Sequence, residues 1–286
     1  MSSIKTGSKT GMNARAVVGH AAVHFALVAG AVVMLFPFYW MLVTSVKAPA
    51  DIYTLPLKWW PSQFVWSNYV EAWDSAPFAR YFYNSAVVAV LTTAGQLFTS
   101  ALAAYAFARM DFYGREVIFA VFLGTMMIPE QVTLIPNYIT IFQLGWKDTY
   151  AGLIVPWIVS VFAIFLMRQF FMTIPRELED AAAIDGCGRF GFLRQVIMPL
   201  SKPVFLTAGL FTFIGSWNAF LWPLIITDTP EMRTVQIGLA TFSQEFGTQQ
   251  ALLMAASTFT IMPIVIIFFF VQKQFIQGIA RSGLKA

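Results

Sequence analysis

Charge is the scarcest feature of this sequence. Of its 286 residues, 11% are Asp, Glu, Lys or Arg, whereas a surface facing water carries about 25%. That shortfall excludes an ordinary globular surface. Cysteine is nearly absent too: the single Cys187 rules out an intrachain disulfide framework. The two histidines, His20 and His24, are spaced i, i+4, but no Cys, Asp or Glu shares their run, so no metal site is expected. No GxxxxGK[ST] phosphate loop occurs, and Gly7-Ser-Lys-Thr10 in the polar N-terminal tail has the wrong spacing. Basic residues nowhere interleave with aromatics over a long stretch, which argues against nucleic acid as a partner. No grouping of nucleophile, base and metal ligands points to catalysis, and no cofactor is expected.

What remains is a chain whose main solvent is lipid. Hydrophobic residues make up 58%, with 29 Phe and nine Trp; aromatic rings of this kind settle at the headgroup level. A helix needs about 20 apolar residues to cross the hydrocarbon core, so runs between charges locate the spans. Arg15 and Lys47 bracket a first span at about 18–45, and Arg80 and Arg109 a second at about 84–107. Asp148 and Arg168 enclose 19 uncharged residues, a span at 149–168. Lys202 and Asp228 enclose 25 (203–227), and Glu245 and Lys273 enclose 27, with a span expected at 247–272. Between Glu116 and Glu130 lie only 13 residues, too few to span. The third helix is therefore expected at about 116–137, with Pro129 and Pro136 as points of bending or breakage. The apolar run of the first helix is too long for a cleavable signal, and no A-x-A-like site follows it. The expectation is an all-α polytopic membrane protein with about six transmembrane helices.

Six crossings put both termini on one side, and the basic residues can be read independently. Thirteen of the 18 Lys and Arg fall on the face that carries the 1–16 tail, the 108–116 and 168–202 loops and the 276–286 tail with its flank. Only Lys47, Lys58, Arg80, Lys147 and Arg233 fall on the other. The positive-inside rule then places both termini in the cytoplasm. The external 47–83 segment carries Trp59, Trp60, Trp66 and Trp73. It reads either as short helices lying at the interface or as a plain connecting loop.

The informative stretch is the internal loop at 172–202. Pro175 suits a first helical turn, and Glu177, Glu179 and Asp180 place negative charge at the positive end of the helix dipole. Leu178, Ala181 and Ala182 form a small apolar stripe. Gly186 and Gly188 are expected to stop the helix with positive φ, before a second amphipathic stretch from Phe190 to Ile197. An element with small contact residues, exposed in the cytoplasm, suits the groove of another protein.

This loop resembles the EAA signature of ABC-importer permeases, Glu-Ala-Ala-x-x-x-Gly followed after a spacer by Ile-x-Leu-Pro. Asp180-Ala181-Ala182, Gly186 and Ile197-Met198-Pro199 take those places. Asp180 stands where the pattern has Glu, with Glu179 just before it, which leaves the ion-pairing carboxylate open. Met198 directly precedes the proline, shortening the end of the pattern by one residue. Phe36-Pro-Phe-Tyr-Trp-Met-Leu-Val-Thr-Ser-Val-Lys47, Met127-Ile-Pro129, Ile135-Pro136, Ser216-Trp-Asn-Ala-Phe-Leu-Trp-Pro223 and Gly278-Ile-Ala-Arg-Ser-Gly-Leu-Lys285 are similar to the carbohydrate-uptake branch, in particular to the maltose-system G type of permease. Permeases for sn-glycerol-3-phosphate belong to the same branch and share the Arg168-Gln-Phe-Phe-Met-Thr segment.

The resemblance implies an ABC type I importer permease fold in a bacterial inner membrane. Its partners would be a second homologous permease, two ATP-binding-cassette ATPase subunits and an extracellular solute-binding protein. Glu179, Asp180, Ala181, Ala182, Asp185, Gly186 and Pro199 would then serve ATPase coupling, and the cargo would be a sugar or a glycerophosphate. Trp217, Asn218 and Trp222 are candidates for the substrate pathway; the alternative is an interhelical hydrogen bond with aromatic packing. Glu130, beside Gln131, is the charge most deeply placed in an apolar context, and its position near the outer end points to an interfacial or partner-facing role. A secondary carrier would more often place ionisable groups at mid-bilayer, and it has no use for the 172–202 loop.

Overall fold

Backbone amides at membrane depth must find partners within the chain, and helices achieve this locally. The computed structural model describes residues 14–246 and 249–283, with side chains for 19–243, 245 and 249–272, and contains no strand among them. The expected N-terminal tail lies almost wholly outside the described residues, as does 284–286; the stretch from 276 to Gly283 continues the last helix.

Helix α1 (Ala14–Ser45) is apolar on all sides, and its side chains from Gly19 to Tyr39 are exposed in the isolated chain. A helix of that kind is built to face lipid or another apolar helix. The segment that follows holds two short helices, α2 (Pro49–Ile52) and α3 (Ser67–Asp74), with Trp59, Trp60 and Trp66 exposed between them. Helix α4 (Phe78–Arg109) is central: it packs most extensively against α8 and α12, introduced below. Small side chains permit that approach. Ala101, Ala104 and Ala108 meet Ala163, Met167 and Ala208 in one buried cluster, the close-packing mode of membrane helices.

The third expected span is two helices, α5 (Arg115–Thr125) and α6 (Glu130–Gln143), set at 95°. Pro129 has no N–H to continue α5 and pushes Ile128 toward extended backbone, so the turn falls there. Helix α7 (Tyr150–Ile154) and a 3-10 turn through Trp157 join α8 (Val161–Met172) across a 44° bend. Thr149 and Ser160 cap the two starts, accepting from Gly152 N–H and Ala163 N–H, each at 3.2 Å. The internal loop contains α9 (Glu177–Ile184), α10 (Arg189–Phe192), a π-turn over Leu193–Ile197 and α11 (Met198–Leu200). An 81° bend then leads into α12 (Lys202–Trp217). The stretch expected as 203–227 is interrupted at 218–220, after which α13 (Leu221–Ile226) completes it. Helices α14 (Val235–Phe246) and α15 (Gln250–Gly283) follow, and α15 packs on α1, α3, α12 and α14. Among the described residues, three helices are long and apolar enough to cross a bilayer unbroken, and three bent pairs raise the total to as many as six.

Polar staples hold the end of the bundle opposite α9. Asn84 is fully buried; its amide donates to Glu231 O and Arg233 O, both at 2.8 Å, and accepts from Tyr150 Oη–H at 2.7 Å. Asp148, held at φ +57°, accepts from the Asp228 and Thr229 N–H groups and from the Thr229 hydroxyl. A ledge over 47–68 is tied in the same way. Asn68 donates to Ser45 O and Lys47 O. Lys47, almost fully buried, donates to Lys58 O at 2.6 Å and lies 4.2 Å over the Trp40 ring. Burial lowers the Lys47 pKa from its ordinary value, and the nearby Asp51 charge opposes that. Lys58, donating at 2.5 Å, and the Ser62 N–H hold the Asp51 carboxyl below the usual carboxylate range.

Two outcomes follow from these staples. Asn84→Leu leaves the Arg233 carbonyl and the Tyr150 hydroxyl without their Asn84 partners, while Glu231 O keeps the Arg80 Nε–H, so thermal unfolding of the detergent-purified protein should show a loss of about 2 kcal/mol or more. The Asp51 value is depressed on folding, so its contribution is present above the unfolded carboxyl value and is lost as pH falls below about 4. Tryptophan emission from the ledge should show that acid transition, and Asp51→Asn should abolish it.

Candidate functional site

The internal loop is built from its glycine outward. Gly186 has φ +76°, Gly186 N–H donates to Ala183 O at 3.1 Å, and Cys187 N–H donates to Ala182 O at 2.8 Å. These two bonds close α9 with a Schellman cap. Gly188 differs from expectation: it is extended (φ −72°, ψ 165°) and precedes α10, so only Gly186 needs the left-handed backbone. Helix α9 turns Glu179 and Ala182 toward the bundle, and Ala182 and Cys187 pack on its buried cluster. Leu178, Asp180, Ala181, Asp185 and Gly186 face outward, and Ile184 is 87% exposed. Glu179 pairs within the chain, while Asp180 has no ion-pair partner among the described residues. Pro199 lies in α11, exposed.

Glu179 is held by Arg109, the last residue of α4, at 3.6 Å. The Arg109 side chain is 2% exposed, and its Nη2 donates to Phe171 O at 2.7 Å and to Ile174 O. Those carbonyls sit at the end of α8, where helix geometry leaves acceptors unpaired and the dipole favours a cation. Arg168 of α8 makes the reciprocal connection. Its Nε donates to Phe107 O in the last turn of α4 at 3.2 Å, and its guanidinium stacks 4.1 Å over Phe119 and reaches Glu116 on α5 at 3.3 Å. Each helix thus sends an arginine to the carboxyl end of the other. In the sequence both residues read as charges bracketing spans, and Arg168 also as the start of a segment shared with related permeases; their burial depends on two helix ends meeting, which spacing does not reveal.

At the other half of α4 lies a cavity of about 430 Å³, within the range of small-molecule sites. Thr92 and Gln96 of α4, Glu130 and Gln131 at the start of α6, Trp157, and the α12–α13 segment with Thr212, Ser216 and Trp222 line it. Gln96 donates to Trp157 O at 2.6 Å and accepts from Thr212 Oγ1–H at 2.8 Å. Trp157 and Trp222 meet edge to face with centroids 5.7 Å apart, and Trp222 Nε1–H donates to Gly152 O. Trp222 therefore lines the cavity, but Trp217 and Asn218 do not. Trp217 packs on Phe82 and Phe213 and donates to Thr260 O at 3.3 Å, the interhelical alternative. Asn218, in the break after α12, accepts from Gln236. Gln96 and Thr92, like Ser216 and Thr212, are i, i+4 pairs of polar residues in apolar helices, the signal by which the sequence marks this face.

Arg109→Met removes the donor that satisfies two carbonyls and releases Glu179. Limited proteolysis of the purified protein at 175–188 should accelerate about tenfold or more, with the helix content unchanged.

The family described as binding-protein-dependent transport system inner membrane component matches residues 96–281. The arabinooligosaccharides transport system permease protein AraQ of Bacillus subtilis (strain 168) is 37% identical over 254 residues, 88% of this chain and 90% of that protein. The sn-glycerol-3-phosphate transport system permease protein UgpE of Yersinia enterocolitica serotype O:8 / biotype 1B (strain NCTC 13174 / 8081) is 35% identical, covering 91% of this chain and 95% of its own. A chain of a bacterial ABC transporter involved in the import of the acidic polysaccharide alginate superposes with a TM-score of 0.82 at 22% identity, over 93% of this chain and 99% of that one. With a lipid-facing α-helical fold, an outward-turned α9 and most of its length matched, the chain is a transport subunit rather than an enzyme, and it belongs to the inner membrane components of binding-protein-dependent transport systems.

Proposed function

We propose that this permease carries a sugar, delivered by an extracellular binding protein, through a pathway walled by this chain and a second, homologous permease. Helix α9 seats in a cleft of one of two partner ATPases, and both chain termini lie in the cytoplasm, on the side of the thirteen basic residues. One observation carries the reading: the docking helix and the cavity are joined by stiff elements. Helix α4 runs from the cavity at Gln96 to Arg109, which grips α9, a reach of about 20 Å at helical rise. Helix α12 starts where the internal loop ends and lines the same cavity with Thr212 and Ser216.

When the ATPase pair closes on ATP, α9 is displaced. The clamp passes that displacement to α4 and α8 as a rigid body, and the loop passes it to α12. The cavity walls then rock between inward and outward access. Gln96, Thr212 and Ser216 offer hydroxyl and amide groups, and Trp157 and Trp222 offer aromatic surface, the usual furnishing of a site for a neutral sugar. A glycerophosphate cargo is the second reading, favoured by the 35% identity to UgpE.

The test is uptake by cells expressing the whole system. Gly186→Leu forces a branched side chain into left-handed backbone at a cost of about 1–2 kcal/mol, and Asp180→Lys reverses the charge on the exposed face of α9. Both variants should insert at normal levels and lose carbohydrate uptake by about tenfold or more. Full uptake by both would remove the coupling role from α9.

A further inference from the structure

The cavity holds one group that the sugar reading leaves unexplained. Glu130 brings a carboxylate to its lining, and that carboxylate has no ion-pair partner among the described residues. No Lys, Arg or His among the described residues lines the cavity. The remaining polar lining is neutral. Gln96 and Thr212 are already joined to each other and to Trp157 O, and Thr92, also on this wall, is 3% exposed with its hydroxyl buried.

Resting on the carbohydrate reading above, we propose that Glu130 is a charge filter that restricts the cargo of this cavity to neutral, polyhydroxylated sugars and rejects phosphorylated and uronic-acid cargoes. A carboxylate accepts short, charge-assisted hydrogen bonds from sugar hydroxyls. Against a phosphate or a second carboxylate it offers only like-charge repulsion. An anion entering also gives up water with no cation to replace it. The relative that transports sn-glycerol-3-phosphate and the structural neighbour that imports an acidic polysaccharide are thus guides to fold, and their anionic cargoes do not carry over. The position makes the filter effective: Glu130 is the first residue of α6, exposed at the 95° break after α5, with Gln131 beside it.

The charge of the cavity can be read without knowing the cargo. The chain is prepared with Cys187→Ser, removing its one thiol, and Ser216→Cys on the cavity wall, and is assembled with its partner permease and ATPases. Labelling rates are measured with a cationic methanethiosulfonate, an anionic one and an uncharged one as the control for access. The cationic reagent should react faster than the anionic by about tenfold beyond their intrinsic ratio, and Glu130→Gln should erase that preference. Arabinotriose should protect the thiol and sn-glycerol 3-phosphate should not. A rate ratio indifferent to Glu130→Gln overturns the filter, as does protection by sn-glycerol 3-phosphate equal to that by arabinotriose. A failed carbohydrate reading shows differently: the unmodified system would take up no carbohydrate, although the rate ratio still depended on Glu130.

Discussion

The structure depends on the crossed arginines at the ends of α4 and α8. Two helices that terminate side by side present several carbonyls without donors, and both helix dipoles point their negative ends at the same place. Arg109 and Arg168 answer both problems at once. Each guanidinium leaves its own helix and donates to the other, so neither helix end can shift alone. The same groups reach onward, Arg109 to Glu179 on α9 and Arg168 to Glu116 on α5. Four helices are therefore pinned at one junction, and the one that faces outward is α9. A planar guanidinium with several fixed donors can do this; a lysine cannot hold the same fork.

From that junction the transport function becomes mechanical. The chain carries no phosphate loop, so the energy enters from separate ATPase subunits. Helix α4 meets the cavity at its middle and α12 near its far end, and both reach the internal loop at their other ends, so in the proposed function a displacement at α9 would be felt where a cargo would sit. The opposite end is held by a different set of contacts, with Asn84, Asp148 and the Asp51–Lys58 ledge each satisfying several backbone groups. A bundle stapled at both ends, with the apolar α1 exposed in the isolated chain, would under the proposed function rock against a second permease.

Much of this was legible in the sequence, and the parts that were not share a cause. Charge-free runs of lipid-spanning length mark α1, α4 and α15 because hydrocarbon tolerates little else. The Asp180-Ala181-Ala182 pattern and Gly186 mark α9 because a tight helix end and small side chains leave local signatures. The sequence also marks Pro129 as a breaking point, but the 95° turn it makes there is a tertiary result. Trp217 and Trp222 stand five residues apart in one motif, yet the break at 218–220 sends one into the core and the other to the cavity. The burial of Arg109 and the pairing of Gln96 with Thr212 across 116 residues depend on which helices meet. No local pattern encodes that.

The most direct measurement of the account is the amount of cargo moved per ATP hydrolysed by the complete complex carrying Arg109→Met. If the crossed arginines are the link between motor and cavity, the complex will still assemble and hydrolyse ATP, while cargo moved per ATP falls by about tenfold or more. Unaltered transport per ATP in that variant would contradict the account.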